Sequence, residues 1–123
     1  MALDAYPVRN GQAEVVEYWI KLEGTGASAP TLTFPAASAG ISVARTSAGI
    51  YTLTWTDDPG TYLCTVPGFE DTTPANLDDH SCIVDNYASK VLTITVYDGT
   101  PAVDDLEANE YLCLKVAFKR TSL

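Results

Sequence analysis

His80, the only histidine of the chain, lies in the sequence Asp79-His80-Ser81-Cys82, where a base, a hydroxyl and a thiol are adjacent. Nucleophilic catalysis requires the base within hydrogen-bond reach of the serine or cysteine. Consecutive strand residues point to opposite faces, so these four residues do not form a triad by themselves. His80 and Cys82 share a face but supply only two zinc ligands. The pattern therefore predicts a surface histidine between a loop and a strand.

Aspartate pairs at 57–58, 78–79 and 104–105 are the second group that could carry chemistry. They offer oxygen ligands for calcium, but none follows the fixed spacing of a known calcium loop. Glycoside hydrolysis needs two carboxylates at a set separation, which acids scattered over loops do not indicate. Phosphate binding is disfavoured because no glycine-rich loop opens a helix. We therefore predict no enzyme activity, no cofactor and no metal site.

Charge and length narrow the possible partners. The chain has 123 residues, a size typical of one domain, and 16 acidic against 7 basic residues, for a net charge of −9. No Lys or Arg occurs between Arg45 and Lys90. Nucleic acid and anionic membranes require basic residues, so we predict neither as a partner. The acidic middle of the chain favours either a basic partner surface or simple solubility.

Three cysteines, Cys64, Cys82 and Cys113, are widely spaced and lie in apolar runs. Their spacing is not that of a zinc site or a redox motif, and we predict buried free thiols. A bridge from Cys82 to either of the other two is the alternative. Free thiols suit assembly in a reducing cytoplasm, and the chain shows neither a signal-peptide pattern nor an apolar run long enough to span a bilayer.

The elements that must position these residues are short strands. Residues 41–56 contain two runs of alternating character around a break that ends in Gly49, which indicates a β-hairpin. Similar patterns predict further strands, separated by a polar loop at 67–79 and by at most one helical turn near 103–108. The predicted strands cover residues 14–23, 31–34, 61–66, 81–87, 90–97 and 110–119.

Eight strands of this length predict an all-β fold, an antiparallel β-sandwich that is jelly-roll-like. An immunoglobulin-like sandwich is the alternative, although both tryptophans precede every cysteine. Residues 1–13 lack periodicity and are predicted as an N-terminal arm, leaving 14–123 as a single domain. We expect most aromatic residues to lie in its core.

The last two strands separate apolar from semi-polar faces. Leu92, Ile94 and Val96 alternate with threonine, valine and tyrosine, and in 111–118 the even positions are apolar while the odd ones are mixed. The apolar faces predict core. The odd face of 111–118 is formed by Tyr111, Cys113, Lys115 and Ala117. Such faces suit contact with another protein, for example a second copy; an ordinary solvated sheet face is the alternative.

Four stretches of the sequence are characteristic when taken in order. They are a Tyr-Pro N-terminal arm, the hairpin Ser-Val-Ala-Arg-Thr-Ser-Ala-Gly-Ile-Tyr-Thr-Leu-Thr-Trp, the strand Lys-Val-Leu-Thr-Ile-Thr-Val, and Asp-Leu-Glu-Ala-Asn-Glu followed by Tyr-Leu-Cys-Leu-Lys-Val-Ala-Phe. Together they resemble head decoration (capsid cement) or head-fibre proteins of tailed bacteriophages. The resemblance implies a sandwich, often trimeric, that binds the outside of a phage head and stabilises the shell. It implies no catalytic residue.

From this resemblance we expect a non-enzymatic virion structural protein on the capsid exterior, assembled in the host cytoplasm, with the major capsid protein as partner and a homotrimer as the assembly. The candidate capsid contacts are four residues of the arm, Tyr6, Pro7, Val8 and Arg9. Proline limits the entropy lost when the arm is ordered, and the arginine suits a carboxylate of the shell. The alternative is a fibre, neck or tail adhesion module that recognises a host-surface glycan or protein.

Overall fold

The computed structural model describes residues 15–35, 39–71, 80–97 and 102–120, which form eight strands and no α-helix. The strands alternate between inward apolar and outward polar side chains, as antiparallel sheets with one solvated face require. In chain order the strands are β1 Val15–Glu23, β2 Thr31–Phe34, β3 Ile41–Ser47, β4 Ile50–Trp55, β5 Thr61–Asp71, β6 Ser81–Ala88, β7 Val91–Tyr97 and β8 Glu110–Lys119.

The strands form two antiparallel sheets of four strands each. The first sheet has the order β2-β1-β8-β5 and the second has the order β3-β4-β7-β6. Both hairpins of the second sheet, β3–β4 and β6–β7, join neighbours in the chain, whereas β8 closes the first sheet between β1 and β5. The predicted all-β antiparallel sandwich is therefore confirmed.

Between the sheets lies one apolar core, built from the inward faces predicted for the hairpin and for the last two strands. The even residues of β8 from Leu112 to Phe118 are at most 1% exposed, and Tyr51 and Leu53 of β4 are fully buried. Burial of such side chains stabilises the fold by roughly 1.5–3 kcal/mol each. The core consists of Ile20, Leu22, Ile41, Tyr51, Leu53, Trp55, Leu92, Ile94, Val96, Leu106, Leu112, Leu114, Val116 and Phe118.

One detail of the predicted elements was wrong. Residues 103–108, where at most one helical turn was expected, contain no helical turn, and Val103 forms an isolated antiparallel bridge with Tyr97. The strand expected at 61–66 continues to Asp71, so that Pro67 and Gly68 belong to β5 and not to a loop. The strand tolerates Pro67 because β5 is the last strand of its sheet, where an amide directed away from β8 needs no partner.

A salt bridge fixes the segment before β8 on the β3–β4 hairpin. Arg45 donates two hydrogen bonds to the Asp105 carboxylate, at 3.0 and 2.9 Å, and Gly49 N donates a third at 2.7 Å. Leu106 N donates to the hydroxyl of buried Tyr51 at 2.8 Å. Burial, opposed by this backbone hydrogen bond, raises the pKa of Tyr51 to about 12. These bonds hold Leu106 in the core.

Residues 1–13, the predicted N-terminal arm, lie outside the described residues, and with them the candidate contacts Tyr6, Pro7, Val8 and Arg9. The first described strand begins at Val15, whose partner across the sheet is Lys119. The division of the chain at residue 14 stays a prediction.

Candidate functional site

The outward side of the first sheet carries the most unusual surface of the described residues, and we call it the Trp19 face. Strand pairing aligns its side chains in rows across the sheet: Trp19 with Lys115 and Val66, and Lys21 with Cys113 and Gly68. A bulge in the β1–β2 pair places Phe34 opposite Lys21. The Trp19 face comprises Glu17, Trp19, Lys21, Glu23, Phe34, Cys64, Val66, Gly68, Glu70, Tyr111, Cys113, Lys115 and Ala117.

Three large apolar side chains of the Trp19 face are open to solvent. Trp19 is 58% exposed, Phe34 57% and Val66 51%. The outward side of the second sheet is different in character, because threonines of β4 and β7 dominate it and Ile83 of edge strand β6 is its exposed large apolar residue among those described. Several exposed large apolar side chains on one sheet face are typical of surfaces that contact another protein.

The charged residues of the Trp19 face neutralise one another. Lys21 Nζ lies 3.0 Å from Glu70 Oε1, and Lys115 Nζ lies 4.0 Å from Glu17 Oε2. The hydrogen bond from Lys21 to Glu70 raises the pKa of Lys21. Tyr111 donates its hydroxyl to Glu23 at 3.4 Å. In a chain of net charge −9, this face is therefore close to neutral.

Both lysines also lie over aromatic rings. Lys21 Nζ is 4.5 Å from the centroid of Tyr111, and Lys115 Nζ is 5.7 Å from the centroid of Trp19. Such cation–π contacts hold each lysine flat along the sheet, with its methylene chain covering apolar surface. The face is thus ordered as well as neutral.

The side chains of the Trp19 face differ in size from one side of the sheet to the other. Trp19 and Phe34 lie on β1 and β2, whereas Val66 and Gly68 lie on β5, two strands from β1. Gly68 is exposed, and a Cβ atom added to it would have no described atom within 4 Å. The Trp19 face therefore has an aromatic half, formed by Trp19 and Phe34, and a small-residue half, formed by Val66 and Gly68.

The edges of both sheets are poorly suited to pairing with another strand. β2 has only four residues, and β3 and β6 carry bulges after Arg45 and Val84. β5 contains a bulge of its own, and Pro67 lacks an amide donor. Short strands, bulges and proline at an edge prevent addition of further strands. Association through a sheet face is favoured over association through an edge.

His80 is not the surface residue that we predicted. Its side chain is 7% exposed, its ring centroid lies 5.4 Å from that of Phe69, and its Nε2 lies 3.6 Å from Glu110 Oε1. The start of β8 brings Glu110 over the entry to β6 and covers the imidazole, which sequence spacing did not indicate. Ser81 and Cys82 follow in β6.

The cysteines follow the prediction only in part. Cys64, Cys82 and Cys113 are free thiols, as expected, but Cys64 is exposed because it lies on the Trp19 face of an edge strand. Cys113 is half-buried on the same face. Cys82 packs against the core, and burial raises the pKa of its thiol to about 12. The apolar residues around each thiol belong to strands whose side chains alternate between the two faces of a sheet. An apolar neighbourhood in the sequence therefore did not show whether the cysteine side chain points inward or outward.

Asp105, one of the possible calcium ligands, is occupied by the guanidinium of Arg45. Within the described ranges, His, Cys, Asp and Glu side chains form no group of three that could hold a metal ion. In the same part of the chain there is no helix long and apolar enough to cross a membrane.

The sequence analysis identified the residues of β8 that belong to the Trp19 face and missed Trp19 itself. The alternation in β8 correctly separated Tyr111, Cys113 and Lys115 from the core. Trp19 was assigned to the core with the other aromatic residues, although its parity in β1 places it with Lys21 and opposite buried Ile20 and Leu22. That parity is the signal by which the exposed tryptophan could have been found.

Comparisons of the chain with protein families, with curated proteins and with solved structures found no match.

Proposed function

We propose that the chain is a non-enzymatic virion structural protein, a decoration or cement protein that binds the outer surface of a phage head and stabilises the shell. The observation that carries the proposal is the Trp19 face, an ordered and neutral surface on which Trp19, Phe34 and Val66 are exposed. Such a face suits burial between the subunits of a structural assembly, which leaves attachment to the head to the arm. The sequence resemblance to head decoration proteins supports the choice of a phage head as its target.

In this proposal the protein is a homotrimer on the capsid exterior, assembled in the host cytoplasm, and the major capsid protein is its partner. The arm residues Tyr6, Pro7, Val8 and Arg9 grip the shell. Each trimer carries three arms, so several modest contacts combine into tight attachment. Bridging neighbouring capsid subunits in this way opposes the outward pressure of packaged DNA.

The experiment is a reconstitution with phage heads. Phage heads are prepared from a genome that encodes this chain but from which its gene has been deleted. These heads are mixed with the purified protein and separated on a density gradient. We expect saturable binding to these heads and none to heads that already carry the protein. Density on the outer capsid surface by electron microscopy supports the proposal, whereas failure to co-sediment with the undecorated heads contradicts it.

A second candidate function is a fibre, neck or tail module that binds a host-surface glycan. The observation in its favour is that Trp19 and Phe34 are both exposed on one face, since neighbouring aromatic rings stack on sugars. Glycan-array binding that is lost in the Trp19→Ala variant, together with density at a fibre tip, would favour this function over head decoration.

A further inference from the structure

We propose that the Trp19 face is covered by a second copy of this chain, with the aromatic half of one subunit packed against the small-residue half of the next. The inference rests on the proposed function only for the number of copies, three. It names the residues that join the subunits, Trp19 and Phe34 on one side and Val66 and Gly68 on the other.

The charge of the molecule favours a copy of itself as the occupant. Two chains of net charge −9 repel one another unless they meet through a surface without excess charge. On the Trp19 face, Glu17 and Glu70 are each paired with a lysine, and Glu23 accepts a hydrogen bond from Tyr111. Two such faces come together with little repulsion, while a basic partner would gain little from a face whose carboxylates are already paired.

The distribution of side-chain sizes on the face also suits a copy. The large rings lie on β1 and β2 and the small residues lie on β5, at opposite sides of one sheet. A contact between two different patches joins subunits head to tail, and it closes into a ring when the rotation between subunits permits. Three sheets arranged around an axis bring the β1–β2 side of each subunit against the β5 side of its neighbour.

Pairing through sheet edges is the competing mode of self-association. Pro67 interrupts the row of amides on β5, and bulges distort β3 and β6. These features oppose edge pairing and leave the face as the surface by which copies associate.

The test is the mass of the purified protein in solution, measured by sedimentation equilibrium at micromolar concentration. We expect the wild type at about three times the 13.2 kDa of the chain, and the Trp19→Glu and Val66→Glu variants at the mass of one chain. Ile83→Glu is the matched control, because Ile83 is 52% exposed on the outward side of the second sheet. It should remain trimeric.

Mixing the two interface variants tests the head-to-tail geometry. The Trp19→Glu chain keeps an intact small-residue half, and the Val66→Glu chain keeps an intact aromatic half. Each mixed pair therefore forms one normal contact but cannot close a ring. We expect species of two chains in the mixture and of one chain in each variant alone. If Trp19→Glu does not fold by circular dichroism, Phe34→Glu takes its place.

A monomeric wild type, a trimeric Trp19→Glu variant, or equal dissociation by Ile83→Glu would overturn the inference. So would a wild type that is monomeric in solution and loses head binding when Trp19 is replaced, because the face would then belong to the shell. The outcomes are separable from those of head decoration: a trimer that ignores phage heads contradicts head decoration alone, and a monomer that binds them contradicts the trimer and its subunit contact but not head decoration.

Discussion

Asp105 accepts both hydrogen bonds of the Arg45 guanidinium while its side chain is only 12% exposed, and this pair ties the segment before β8 to the β3–β4 hairpin. We expect Asp105→Ala to lower the free energy of unfolding by roughly 1–3 kcal/mol, because it leaves the buried amide of Gly49 without its acceptor. Urea unfolding measures the change. The adjacent Asp104→Ala is the control and should change the stability by less than about 0.5 kcal/mol.

All stability measurements are best made in the Trp19→Glu background, where subunit association does not contribute to the unfolding free energy. If Asp105→Ala and Asp104→Ala were equally stable there, the salt bridge would have no structural role.

The same pair makes stability depend on acid. The hydrogen bonds from Arg45, followed by that from Gly49 N, lower the pKa of Asp105 below its ordinary value of 3.8. A carboxyl whose pKa is lower in the folded state stabilises the fold above its unfolded pKa, and this contribution is lost as the pH falls through the folded pKa. We therefore expect the free energy of unfolding to fall less on acidification below pH 3.8 in Asp105→Asn than in the same protein with Asp105. Parallel loss in both proteins would contradict this assignment.

Gly49 gives a test of the turn that the sequence predicted. Its φ is +71°, and a Cβ atom there would lie 2.5 Å from Val103 Cγ1 and 2.8 Å from Asp104 N. We expect Gly49→Ala to destabilise the protein by roughly 2–4 kcal/mol, because backbone strain and overpacking add. Gly68→Ala is the control, since nothing lies within 4 Å of its added atom. Urea unfolding that ranks the two variants equally would be contrary to this expectation.

The hairpin at 41–56 could be predicted because two independent signals agree there. Alternation assigns Ile41, Tyr51, Leu53 and Trp55 to the inside, and Gly49 marks the reversal of the chain. Local preference and burial point to the same structure, which is why the strand bounds were nearly correct.

β5 could not be predicted in full because its end contradicts local preference. Pro67 and Gly68 are loop residues by propensity, yet β8 provides a partner for each of them as far as Asp71. Pro67 is acceptable in β5 only because β5 lies at the edge of its sheet. That position depends on the order of the strands, which the local sequence does not predict.

The Trp19 face shows the same limit. Leu32 and Phe34 have the same parity in β2, which predicts a common face, but Leu32 pairs with Leu22 and Phe34 with Lys21 across a bulge. A bulge turns the following side chain to the other face, and nothing in the four residues of β2 announces it. The candidate site is therefore partly a product of pairing between distant strands.

Thiol labelling tests both the cysteine assignments and the subunit contact. In the Trp19→Glu variant we expect iodoacetamide to modify exposed Cys64 well before Cys82, whose pKa of about 12 leaves little thiolate at neutral pH. Mass spectrometry of peptides follows each site separately. In the wild type, Cys64 should react more slowly than in the variant, because the proposed contact places a neighbouring subunit on this side of the Trp19 face. Equal rates at Cys64 in the two proteins would count against the covered face.

The last prediction concerns the N-terminal arm. The first member of the described core is Ile20, and the first described strand begins at Val15. We expect deletion of residues 1–9 to leave the melting temperature within a few degrees and the trimer intact, while attachment to undecorated heads becomes much weaker. The physical reason is that Tyr6, Pro7, Val8 and Arg9 provide a stiff, partly apolar segment with one base in an acidic protein, suited to a carboxylate on the shell.

Arg9→Glu in the full chain is the matched test of that charge and should weaken attachment in the same direction without altering the trimer. If the truncated protein still saturated heads with undiminished affinity, the prediction for the arm would be wrong. The contacts with the head would then come from the loops or from the threonine-rich side of the second sheet.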